Sequence, residues 1–113
     1  MDITFRSQGF ETDHSVAGFL QYRLKSALSR FDEQVVSVDV FMKDVNGPKG
    51  GVDKQVIMRT RLRNSPLIAT QVKAASLYAA IADCTRKTKR CVTRSVNKLK
   101  RVDRKQRIRR LDA

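Results

Sequence analysis

The chain has 113 residues, 41% of them apolar, and a formal net charge of +13 at pH 7. That length holds one domain with one modest core, and that apolar share excludes a disordered chain. No apolar run approaches the ~20 residues of a membrane-spanning helix, and the opening "MDITFRSQGF" lacks the layout of a secretory signal. The sequence therefore predicts a cytoplasmic protein with no membrane partner.

In "DITFRS", Ile3 and Phe5 alternate with polar neighbours, which predicts a first strand. In "ETDHSV", Thr12 or Asp13 can cap a helix. Val16, Leu20, Leu24, Ala27, Leu28 and Phe31 then recur at spacings of three and four, the apolar face of a helix running to about Arg30 with Phe19 and Arg23 on its edge.

From Gln34 the period becomes two. Val36, Val38, Val40 and Met42 alternate with Ser37, Asp39, Phe41 and Lys43, a second strand with one buried face. "DVNGPKGGVDK" reads as a turn. Gln55 to Arg63 is a third strand, with Val56, Met58, Thr60 and Leu62 on one side and a basic outer face of Arg59, Arg61 and Arg63. "NSP" is a tighter turn and "LIATQVK" a fourth strand, so strands two to four form an antiparallel meander.

Ser76 is a candidate N-cap for the last helix. Leu77, Ile81, Cys84, Thr88, Cys91, Ser95, Leu99 and Val102 follow at helical spacing along one side, with a second stripe of Lys87, Arg90, Arg94, Lys98 and Arg101 on one flank. Arg86, Lys89 and Lys100 lie on the other flank. The apolar stripe fades toward its end, which predicts that the helix frays near Val102. The expectation is an α+β fold in the order β-α-β-β-β-α, a four-stranded sheet with two helices packed on one face. Residues 1–102 make the domain and 103–113 a flexible basic tail.

Charge is distributed unevenly. Arg86 to Arg110 holds 13 Lys or Arg and one acid, Asp103, leaving the remaining residues nearly neutral. A solvated helix face mixes both signs; an uncompensated cationic block points to a polyanion, nucleic acid first.

Other chemistry is poorly supported. "GPKGGVDK" fails the phosphate-loop pattern, because Lys54 is not followed by Ser or Thr. His14 has no partner set for catalysis, and no pair of acids stands out. Cys84 and Cys91 sit about 10 Å apart along a helix, beyond disulfide reach, and nothing resembles a zinc site. The sequence predicts a protein that is not an enzyme, with no cofactor, metal or small-molecule substrate. It shows neither a helix-turn-helix nor the aromatic signature of an RNA-recognition sheet, so basic helices reading folded RNA by shape are the better fit.

Three stretches carry a resemblance: "YRLKSALSRF", then "VVSVDVFMKDVNGPKGGVDKQVIMRTRL", then "SLYAAIADCTRKTKRCVTR". Together they resemble the ribosome hibernation-promoting factor family, which includes the ribosome-associated inhibitor protein, from about Ile3 to Arg101. The chain ends soon after the second helix, so it resembles the short form. The resemblance implies binding to the small ribosomal subunit at the decoding centre, where tRNA and mRNA would sit, and silencing of translation in stress or stationary phase. By position it implies rRNA contacts from Arg23, Lys25 and Arg30 in the first helix. From the second it implies Lys87, Lys89, Arg90, Arg94, Lys98 and Arg101. A monomer off the ribosome is expected. Two other readings use the same residues: a general nucleic-acid-binding protein without a ribosomal address, and a module for an acidic protein partner.

Overall fold

The computed structural model describes residues 1–8, 14–44 and 54–112, with backbone alone at 103 and 106–112. Strand β1 is Asp2–Gln8 and helix α1 is His14–Leu28. A single 3-10 turn, Ser29–Phe31, leads into β2, Val35–Asp44. Strands β3, Lys54–Leu62, and β4, Ile68–Ala74, precede helix α2, Leu77–Asp112. The expected order β-α-β-β-β-α is what forms. The expected cap at Thr12 or Asp13 and the turn between β2 and β3 lie outside the described residues.

The sheet order is β1-β2-β3-β4. β1 runs parallel to β2, which α1 makes feasible as a crossover, and the remaining neighbours pair antiparallel as a meander. Register then assembles the core in rows. Ile3, Val38, Thr60 and Ile68 share one row, and Phe5, Val40, Met58 and Thr70 the next. These inward side chains meet Val16, Leu20, Leu24, Leu28 and Phe31 from the first helical segment and Ala80, Ile81, Cys84, Val92 and Val96 from α2. Both helices lie on this face, and among the described residues no element covers the opposite face of the sheet.

Three details differ from the sequence reading. First, Val35 opposes Leu62 while Ser37 opposes Arg61, so β2 holds an extra residue at a bulge. Val35 enters the core at 2% exposure and Val36 turns outward at 42%. Second, the buried stripe of α2 runs through Thr88, Val92 and Val96, while Cys91, Ser95 and Leu99 are half-buried and Val102 is exposed. The helix is rotated toward its two valines, which bring more apolar surface than Cys91 and Ser95. Third, the backbone stays helical through Asp112 instead of leaving the helix near Val102. Beyond Val96 no described side chain is buried, so 16 helical residues, about 24 Å at 1.5 Å each, extend past the core.

The turns are locally encoded. Asn64 adopts φ 58°, a left-handed conformation that Asn tolerates better than most residues. Ser76 Oγ accepts from the Ala79 amide at 3.4 Å, the cap expected for α2.

Candidate nucleic-acid interface

Helix α2 lies across β3 and β4 and against α1. Its contact with β4 is fixed by a polar track under the surface. The Thr70 and Thr88 hydroxyls are 2.7 Å apart, and Thr88 also lies 3.5 Å from the Met58 sulfur. Thr70 sits 3.5 Å from Cys84 Sγ, which in turn points to the Val56 carbonyl at 3.7 Å. Burial pushes the Cys84 thiol above its ordinary value of 9.0, against a smaller opposing pull from the Thr70 hydrogen bond. Cys84 is thus a protonated core residue. Both cysteines are free, as their spacing predicts.

The track orients the cationic flank. Lys87, Arg90 and Arg94 line a hollow of about 290 Å³ together with Ala69, Thr70, Gln71 and the half-buried Cys91. Arg90 and Arg94 also border a second, wider hollow of about 470 Å³ with Arg86, Lys89 and Thr93. These two arginines therefore join the two flanks into one cationic surface. Lys98 and Arg101 carry it outward, both exposed.

Among the described residues, Arg86 pairs with Asp83, and no carboxylate pairs with the α2 cations from Lys87 onward. Arg86, Arg90, Arg94 and Lys98 follow one another at i,i+4. Each such like-charge pair costs the isolated helix about 0.2–0.5 kcal/mol. A surface carrying that cost, with charged groups that are all N–H donors, is suited to an array of phosphates, whose condensed counterions it would release.

The three first-helix candidates do not gather there. Arg23 is half-buried, its guanidinium 5.8 Å from the Phe19 ring centroid. Phe19 meets Tyr78 of α2 edge-on at 5.0 Å, so Arg23 belongs to the α1–α2 seam. Lys25 borders a separate hollow with Met1, Asp2, Ile3 and Gln21. Arg30 sits in the 3-10 turn, 5.6 Å from the Phe31 ring. The sequence did not mark Thr70, Gln71 or Thr93 as lining the cationic surface. Helical spacing could have placed Thr93 beside Lys89 and Arg90, but the β4 residues depend on tertiary packing.

Among the described residues, no three His, Cys, Asp or Glu side chains group to hold a metal ion, and no helix is long and apolar enough to cross a membrane. His14 is exposed in the first turn of α1.

Comparison with solved structures finds a ribosomal subunit interface protein from Coxiella burnetii, with a TM-score of 0.68 and 13% identity over 83% of this chain and 96% of that one. The N-terminal domain of Thermus thermophilus Protein Y superposes with a TM-score of 0.70 and 18% identity, over 83% of this chain and 98% of its own. At such identities the likeness is one of fold. No curated protein sequence matches the chain significantly. The family profile described as sigma 54 modulation protein / S30EA ribosomal protein matches residues 3–100, through β1, both helices and the meander. This agrees with the hibernation-factor resemblance carried by the three quoted stretches: the chain belongs to the sigma 54 modulation protein / S30EA ribosomal protein family.

Proposed function

We propose that this protein inactivates ribosomes in the cytoplasm by occupying the decoding centre of the small subunit, held there by rRNA phosphates along α2. It acts by occupancy: the folded body excludes tRNA and mRNA and silences translation in stress or stationary phase, and no bond is made or broken. The observation that carries this reading is the joined cationic surface around Arg90 and Arg94, on which the cations from Lys87 onward have no carboxylate partner among the described residues. The family description names a ribosomal protein, and one structural neighbour is a ribosomal subunit interface protein.

The test replaces Lys87, Arg90 and Arg94 together by Glu. All three are exposed, so the fold should survive. The variant should no longer co-sediment with small subunits or inhibit a cell-free translation extract, and the wild-type protein should compete with initiator tRNA. Undiminished inhibition by the variant, or simultaneous binding of tRNA and protein without loss of affinity, would overturn the reading.

A second reading, general nucleic-acid binding without a ribosomal address, draws on the helical arm beyond Val96, which carries cations on both flanks and, among the described residues, no buried side chain. It requires equal affinity for duplex RNA, duplex DNA and ribosomal subunits at one salt concentration.

A further inference from the structure

The sheet face opposite the helices has a site of its own. Thr4, Asp39 and Arg59 stand in one outward row across β1, β2 and β3, and Arg6, Phe41 and Ile57 in the next. These residues line a hollow of about 310 Å³. Its floor is the Phe41–Ile57 cross-strand pair, half-buried although both helices pack on the other face. An aromatic and aliphatic cross-strand pair can serve sheet stability alone. The rim argues for more. Asp39 Oδ1 accepts from Thr4 Oγ1 at 2.5 Å, and among the described residues neither Arg6 nor Arg59 has a carboxylate partner. Lys43, Arg61 and Lys73 extend the positive charge on this face, against Asp2 and Asp39.

We infer that this hollow binds one unpaired RNA nucleotide, its base against Phe41 and its phosphate at Arg6 and Arg59. An aromatic ring offers a stacking platform to any base, and flanking guanidiniums supply charge for the backbone. The hollow is the size of a small-ligand pocket, too confined for a duplex groove. The protein would then hold RNA on two opposite faces, duplex phosphates along α2 and a single strand on the sheet. This inference stands independently of the ribosomal reading, because none of its residues belongs to the α2 surface.

The test follows backbone amides by NMR while an unstructured hexaribonucleotide is added. It uses wild-type protein and the variant with Glu at positions 87, 90 and 94. In both proteins the amides of Arg6, Phe41, Ile57 and Arg59 should shift and saturate. In the variant background, Phe41→Leu, which keeps an apolar side chain and removes the ring face, should weaken binding about tenfold. The exposed Arg59→Gln should weaken it several-fold and lower the salt slope by about one. Adenosine monophosphate, which carries one base and one phosphate, should shift the same sheet-face amides. Overturning results are sheet-face amides that stay still while those of α2 move, or affinity unchanged in both Phe41→Leu and Arg59→Gln.

Discussion

The hydroxyls of Thr70 on β4 and Thr88 on α2 lie 2.7 Å apart and lock the helix to the sheet directly behind the Lys87–Arg90–Arg94 hollow. Removing one partner leaves the other hydroxyl with a poorer set of bonds inside the protein. Thr88→Val should therefore cost about 1–2 kcal/mol in urea unfolding. The double change Thr70→Val with Thr88→Val should cost less than the sum of the two singles, which a double-mutant cycle measures.

Thr60 presents the opposite case. It is fully buried in the row with Val38 and Ile68, and its hydroxyl has no hydrogen-bond partner. Thr60→Val keeps the shape and removes an unpaired polar group. It should raise stability by about 1 kcal/mol, read as a higher urea midpoint with unchanged slope.

Val92 and Val102 test the orientation of α2. Val92 is fully buried and Val102 is 46% exposed. Val92→Ala should cost about 2 kcal/mol, and Val102→Ala should stay within ~0.5 kcal/mol. Comparable losses at both positions would contradict the observed rotation of the helix.

The core periodicity was legible because burial is one-sided: β3 alternates without error, and so does the apolar face of α1. The failures have local causes. Val35 and Val36 are chemically identical, so alternation could not tell which entered the core; the bulge decides it. Cys91 and Val92 are adjacent and both apolar, and only packing against the sheet selects Val92. The α2 cations declared themselves by density. The meeting of Arg6 with Phe41 depends on parallel pairing across 35 positions of chain, which no local spacing encodes.

Cys84 gives the protein an alkaline liability. Its folded-state pKa is raised by burial, so the native protein holds this proton more tightly than the unfolded chain. The contribution is fully present below the ordinary thiol value of 9.0 and is lost as pH rises from there through the folded value. Urea midpoints measured between about pH 8 and pH 10 should fall less steeply for Cys84→Ala than for wild type, since the two proteins differ only at this thiol.

Deleting residues 103–113 removes five basic side chains, Arg104, Lys105, Arg107, Arg109 and Arg110. No described side chain past Val96 is buried, so the domain should unfold at the same urea concentration. The salt slope of RNA binding should fall by up to roughly 3–5, at about 0.7–0.9 per lost phosphate contact. An unchanged slope would mean that this stretch does not touch the polyanion.

The parallel pairing of β1 with β2 also sets an order of assembly. On a ribosome making this chain, β1 and α1 emerge first, yet β1 has no strand to join until residues 37–43 have followed. The meander and α2 close through shorter loops and need not wait for it. Once folded, β1 has a neighbouring strand on one side only among the described residues, whereas β3 is flanked on both and covered by α2. The natural seam for partial opening therefore runs between β1 and β2, and the amides of β1 should exchange with solvent well before those of β3. Arg6 lies on the opening side of that seam and Phe41 and Arg59 on the other, so a nucleotide bridging them would act as a clasp on the sheet's first strand.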